Sequence, residues 1–288
     1  MTIIEEHMTL GERMRIAMPG LSPAERRVVR RILSGPARFE TAATFAAEAQ
    51  VSTPTVLRCL GKLGFPGYAA FRALALREAG ERGDSALAQM GRRGPDRADR
   101  PLRQRLHQGF TSAIDDTFER LDDGEIERAL DLLADGSRRQ LFAGGRFSQA
   151  LADQLYGHAH LIRAGCELAS FAAQTRAYRL VDVGRSHVVT LFDFRRYQRD
   201  SVEFAREAKR RRAKLILVTD PWMSPIADWA EVVLVADVRS ASPFDTLVPA
   251  LSMTETLIAG LYERLGADAS ERLAGFEALS EDFEWKAP

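Results

Sequence analysis

Cysteine is nearly missing from this chain of 288 residues: Cys59 and Cys166 are its only two. They stand alone in no Cys-x-x-Cys pair, so no disulfide framework can be built, and a reducing, cytoplasmic location is expected. Lysine is almost as scarce, with 4 of the 40 basic residues against 36 arginines. Histidine numbers five. The close pair His158 and His160 falls two apart in an expected helix, where side chains do not share a face, so no metal site is expected. No run of 18 apolar residues exists, which argues against a membrane-spanning helix. Met1 to His7 lacks the basic start and apolar core of a secretory signal. Neither an internal repeat nor a low-complexity tract is visible, and no cofactor is expected.

Net charge is also absent, but only as a sum. Residues 1–80 hold 11 basic and 7 acidic side chains, and the remainder 29 and 33. A modestly basic head on an acidic body fits a nucleic-acid partner for the head. The length accommodates two domains and a sizeable core.

The head is helical by pattern. Ser22-Pro23-Ala24-Glu25 is a capping box with proline at the first helical position. It opens a helix with Val28, Val29, Ile32 and Leu33 inward, which Gly35-Pro36 ends. A short alanine-rich helix follows from Thr41 to Ala49, with Phe45, Ala46 and Ala49 buried, and then the turn Gln50-Val51-Ser52. Glycine is common in such turns, and here glutamine takes its place. Ser52 caps the next helix, whose apolar stripe is Val56, Cys59, Leu60 and Leu63, and Gly64 stops it. Thr53, Thr55, Arg58 and Lys62 fall away from that stripe, with no carboxylate among them. Hydroxyls, a guanidinium and an ammonium on one face suit a major groove lined by phosphates. The order helix, short helix, tight turn, cationic helix is a helix-turn-helix pattern. A further helix, about Gly67 to Arg82, completes the head with Tyr68, Phe71, Leu74 and Ala75 inward.

Residues 83–101 read as a polar linker broken by Gly91, Gly94, Pro95 and Pro101. The texture then changes. A helix carries Leu106, Phe110, Ile114, Phe118 and Leu121, and a second carries Ile126, Ala129, Leu130 and Leu133. Five short apolar runs follow at Gln140–Ala143, Glu167–Phe171, Ser186–Phe192, Leu215–Thr219 and Val232–Ala236, with helices expected at 148–164, 200–212 and 244–265. Continuous apolar runs interleaved with helices predict a five-stranded parallel sheet covered on both faces. The expected organisation is an all-α head at 1–82, a linker at 83–101 and an α/β body at 102–288. Ligands of such sheets bind outside the carboxyl ends of the strands.

The two halves together resemble the RpiR family of bacterial transcription regulators. The resemblance rests on Leu21-Ser22-Pro23-Ala24-Glu25, on Val51-Ser52, Val56, Arg58, Lys62 and Leu63-Gly64-Phe65, on Gly144 and Ser148, and on Thr219-Asp220 with Ser224-Pro225-Ile226-Ala227 and Ala230. It spans about residues 18 to 268. It implies a helix-turn-helix joined to a sugar isomerase (SIS) domain that senses a phosphosugar or related metabolite and helps the protein form a dimer or tetramer. The chain departs from the family at the ligand loops. The usual Gly-x-Gly-x-Ser after the first strand is Gly144-Gly145-Arg146-Phe147-Ser148. The usual Ser-x-Ser-Gly-x-Thr after the third is Asp193-Phe194-Arg195-Arg196-Tyr197-Gln198. Small residues that let amides and hydroxyls cradle a phosphate are replaced by Arg146, Arg195 and Arg196.

Two readings of the cleft stay open. The guanidiniums bind an anionic effector, a sugar phosphate or sugar acid, with Ser148, Tyr197 and Ser224 adding hydrogen bonds. Alternatively Asp193 pairs with one or more of the arginines and the cleft fills with its own side chains. Ser224 has an internal option as well, as the cap of a short helix at Pro225. The expected function is sequence-specific binding of a double-stranded operator by Ser52, Thr53, Thr55, Arg58 and Lys62, with Arg58 best suited to a guanine edge and Lys62 to a phosphate. No catalytic residue is expected, since the pattern places no Glu or His as general base in the cleft. The rival readings are a phosphosugar isomerase with an accessory head, and a regulator whose SIS domain is purely structural.

Overall fold

A computed structural model of the chain describes residues 8–33, 41–83, 101–170, 172–242 and 244–280. The expected Gly35-Pro36 stop, residues 84–100 of the expected linker, Met1 to His7, Phe171, the last eight residues and the side chain of Leu33 lie outside what is described. The chain divides into two compact units. One comprises Met1–Asp99, Asp220–Asp228 and Ser242–Phe244, the other Arg100–Thr219, Trp229–Ala241 and Asp245–Pro288.

The first unit is built of helices α1 (Leu10–Ala17), α2 (Pro23–Leu33), α3 (Ala42–Glu48), α4 (Thr53–Lys62) and α5 (Tyr68–Gly83). The capping box forms as its sequence requires: the Ser22 amide donates to Glu25 Oε2 at 2.7 Å, and the Glu25 amide to Ser22 Oγ at 3.3 Å. Val28, Val29, Phe45, Val56, Cys59, Leu60 and Phe71 are fully buried. Phe45 and Phe71 meet edge-on with ring centroids 5.8 Å apart. Tyr68 and Leu74 are half-buried.

Two matching stops set the angle of α4. At its end, Phe65 N–H bonds back to Leu60 O at 2.9 Å and Gly64 N–H to Gly61 O at 3.1 Å, with Gly64 at φ 78°. At the end of α3, Val51 N–H reaches Ala46 O at 3.0 Å and Gln50 N–H reaches Ala47 O at 3.1 Å. There the left-handed position is Gln50, at φ 54°. Both are Schellman stops, the second with a side chain where glycine is usual. The glutamine adopts the glycine conformation.

The second unit runs α6 (Leu102–Arg120), α7 (Asp123–Ala134), β1 (Arg139–Gly144), α8 (Gln149–Ile162), β2 (Cys166–Ala169), α9 (Ala173–Asp182), β3 (His187–Phe192), α10 (Arg199–Arg210), β4 (Lys214–Thr219), β5 (Val232–Val235), α11 (Val248–Leu265) and α12 (Ala267–Ser280). All five strands are parallel, in the order β2-β1-β3-β4-β5. Phe142, Val188, Phe192, Ile216, Val218 and Leu234 face a core with Leu130 and Leu133 of α7, Leu151 and Leu155 of α8, and Met253 and Leu257 of α11. The other face is covered by α9 and α10. Burial on both faces explains why the strands read as unbroken apolar runs.

Four helices depart from the sequence reading. Helix α1 and helix α9, between β2 and β3, were not anticipated. The expected 244–265 helix starts only at Val248, and Gly266 at φ 56° separates it from an unanticipated α12. Four of the five basic residues at 209–214 pair with neighbouring carboxylates: Lys209 and Lys214 with Glu231, Arg210 and Arg211 with Glu207.

Candidate functional site

The sheet order reverses between β1 and β3, and the crevice outside the carboxyl ends at such a reversal is where open parallel sheets hold ligands. Loops 144–148 and 193–198 flank it. Gly144 turns the first loop because no side chain fits: a Cβ there would lie 2.4 Å from Ser148 O and 2.5 Å from Gln149 N. Ser148 is buried, and its hydroxyl donates to Phe192 O at 2.6 Å while accepting from Gly145 N–H at 2.8 Å. That hydroxyl ties the end of β1 to the end of β3. The Arg146 amide donates to Gln198 Oε1 at 2.9 Å. Two of the amides that would cradle a phosphate are therefore taken by the protein's own oxygens.

The three loop arginines part company. The Arg195 side chain is 6% exposed and forks onto Asp245, with Nε 2.7 Å from Oδ2 and Nη2 on Oδ1. Asp245 is a carboxylate that holds it, from a stretch that the sequence reading places in a helix. Asp193 is itself buried; its amide donates to Val218 O and its carbonyl accepts from Thr219 Oγ1 at 2.6 Å. Arg146 is exposed, its guanidinium 5.6 Å from the centre of the exposed Phe147 ring. Arg196 is exposed at φ 63°, and Tyr197 is half-buried. Ser224 lies in the other unit, fully buried, where its hydroxyl accepts from Ile226 N–H at 3.2 Å and caps the 3-10 turn Pro225–Asp228. Of the predicted cations, Arg146 and Arg196 are exposed on the two loops, and neither is paired with a carboxylate among the described residues.

One residue of this region was not singled out from the sequence. Arg176 of α9 is 2% exposed. Its guanidinium donates to Gly144 O, to Ser170 O at 3.1 Å and to Ser201 Oγ at 2.9 Å, with Asp200 Oδ2 at 3.5 Å. It joins the carboxyl ends of β1 and β2 to the first turn of α10. Burial pushes its pKa down, with Asp200 and Asp193 opposing. A cavity of about 790 Å³ lies at the other end of the sheet, lined by His160, Arg163, Leu265, Phe276 and Leu279 where the chain enters β1 and β2. Its place at the amino ends makes it the poorer candidate for a sheet ligand.

In the first unit, α4 presents one open face. Ser52 is exposed and caps the helix, its Oγ 3.4 Å from Thr55 N and 2.8 Å from Thr55 Oγ1. Thr55 is buried, and its hydroxyl is engaged by Ser52 Oγ at 2.8 Å and by Arg58 Nη2 at 3.5 Å. Lys62 donates to Glu25 Oε2 at 2.9 Å and to Gly20 O at 3.0 Å, which engages the ammonium within the unit. The hydrogen bonds from Lys62 and Ser22 hold the Glu25 carboxyl down at about 2. Pro54, Leu57, Arg58 and Gly61 are exposed and Thr53 is half-buried. Sequence reasoning named Thr53 and Arg58 here but passed over Leu57 and Gly61.

Residues 133–260 match the family model of the SIS domain. No curated protein matches the chain in sequence. Among solved structures, an RpiR transcription factor from Sphaerobacter thermophilus (sugar isomerase domain) is 21% identical, with TM-score 0.59, covering 62% of this chain and 99% of its own. The Vibrio vulnificus NanR protein complexed with ManNAc-6P is 18% identical, with TM-score 0.56 over 96% of this chain and 100% of its own. The c3406 protein of E. coli CFT073, solved in complex with a ligand, is 14% identical, with TM-score 0.52 over 61% and 95%. Residues 133–260 are a SIS domain, and the chain that carries them has the fold of the RpiR transcription factor's sugar isomerase domain and, along nearly its whole length, of NanR.

Proposed function

We propose that the chain is a transcription regulator: its helical head, about residues 1–82, reads a double-stranded operator through α4, and its SIS domain senses an anionic sugar derivative. The observation that carries this reading is the face of α4. Ser52, Thr53 and Arg58 stand on it without a carboxylate, on a helix held by a tight turn from α3. The SIS domain on the same chain supports the sensing half, as does a similar structure holding ManNAc-6P. Selection of bound sequences from random duplex DNA by the full-length protein tests it. Arg58→Ala is expected to cost about 1–3 kcal/mol and to relax preference at one base pair rather than at all. Undiminished binding by that variant removes Arg58 from the readout.

On this reading the chain is no enzyme and assembles as a homodimer or tetramer. Turnover of a phosphosugar would overturn the first point. Sensing falls to Arg146 and Arg196, the exposed cations of the two loops, rather than to Arg195, which Asp245 neutralises. A thermal-shift screen of sugar phosphates and sugar acids checks this. An anion that raises Tm of the wild type is expected to lose most of that effect on an Arg146→Ala, Arg196→Ala double variant, and to keep it on Phe147→Ala. Equal stabilisation of wild type and double variant overturns the assignment.

A further inference from the structure

On α4, positions 53, 57 and 61 form one row along the open face, each four residues from the next. The row runs from a hydroxyl to an apolar side chain to none. Leu57 is 45% exposed, beside Arg58, on a helix without a single acidic residue. A lone exposed leucine is ordinary. Gly61 is what makes this one informative. Glycine is the poorest helix former after proline, yet at Gly61 no atom of the described residues, beyond its chain neighbours and the helix's own backbone, lies within 4 Å of where a Cβ would stand. It also keeps ordinary helical backbone, since the left-handed stop is Gly64 and not Gly61. The described packing gives no reason for glycine at 61, as it gives none at Gly109, Gly157 or Gly275; what sets Gly61 apart is its place on the acid-free face with Leu57 and Arg58, where a glycine permits close approach of another molecule.

Charge complementarity selects that molecule. A face of hydroxyls and a guanidinium, with no carboxylate, suits duplex DNA. We propose that Leu57 contacts the C5-methyl of a thymine beside the base pair read by Arg58, and that Gly61 lets the sugar-phosphate backbone approach α4 closely. An apolar side chain can pick thymine by its methyl group in the major groove. A backbone passing a bare Cα can accept a hydrogen bond or pack without a clash. This assignment rests on the regulator reading and adds to it a thymine preference and a contact that carries no charge.

The test uses full-length wild type, Leu57→Ala and Gly61→Ala in selection from random duplex DNA, then affinities for the duplex that the wild type enriches. Leu57→Ala is expected to lose enrichment of thymine at one position and keep the rest of the pattern. Gly61→Ala is expected to bind about tenfold more weakly while melting at the same temperature or higher, since alanine is the better helix former. Loss of affinity together with gain of stability is a combination that a purely structural glycine does not produce. If the wild type enriches a sequence but Leu57→Ala enriches the same thymines, or Gly61→Ala binds as well as the wild type, this inference fails alone. If the wild type enriches nothing, the regulator reading itself fails.

Discussion

Arg176→Ala is expected to destabilise the SIS domain by about 3–4 kcal/mol. Two large terms compete at this residue. Taking a guanidinium out of water costs several kcal/mol, a penalty that a buried arginine repays only with well-made bonds. Arg176 makes them: Gly144 O, Ser170 O and Ser201 Oγ all accept from it, and Asp200 lies 3.5 Å away. Hydrogen bonds to a charged group contribute roughly 1.5–3 kcal/mol each after the exchange with water is counted, so the set is net stabilising. The variant also strands the carbonyl that ends β1, beside the loop that carries Arg146. Arg176→Met separates the two contributions, because its stem still packs where the guanidinium now lies 5.7 Å from the Phe204 ring centre. It should lose most of what alanine loses, and Arg176→Lys should recover part. Urea unfolding of the full-length chain, followed by circular dichroism, measures this. A methionine variant as stable as the wild type would show that desolvation cancels the bonds.

Arg176 also shows where the sequence stops being legible. The strands and most helices declare themselves through apolar spacing, because their buried residues are hydrophobic. In α9, Tyr178 and Val181 are 74% and 69% exposed, and the side chain that anchors the helix is Arg176. A reader looking for an apolar stripe finds none, and a guanidinium that holds a helix looks like any other of 36 arginines. Helix α12 hides for a similar reason, since among its described residues only Ala269 is buried. That the two loops follow β1 and β3 was legible from the alternation of apolar runs and helices; that these strands are neighbours at the reversal of strand order was not. Which arginine is neutralised was not: Asp245 lies fifty residues from Arg195, in a stretch read as part of a helix. On α4, Arg58 was readable from the helical wheel. The burial of Thr55 was not, because its hydroxyl is covered by Ser52 and Arg58, partners that the wheel alone does not give.

The acid limb of the head's stability is expected to belong to Glu25. Its carboxyl is held at about 2 against an ordinary 4.5, chiefly by the hydrogen bond from Lys62 and then by those from Ser22. A folded-state pKa below the unfolded one means stabilisation that is complete above about 4.5 and is lost as pH falls towards 2. The full shift would correspond to a few kcal/mol. Glu25 is covered, but the Lys62 side chain is 47% exposed and solvent screens the pair, so about 1–2 kcal/mol is the reasonable share. Glu25→Gln should therefore be less stable than the wild type by that amount at pH 7, and the gap should close by about pH 2–3. A gap that does not change with pH would place the effect elsewhere. The same pair decides what Lys62 is for. An ammonium that meets a phosphate lowers the dependence of log affinity on log salt by about one when removed. Lys62→Met is expected to leave that slope unchanged and to reproduce the stability loss of Glu25→Gln, because the ammonium closes α4 onto the start of α2. A slope reduced by about one, with stability intact, would return Lys62 to the DNA face.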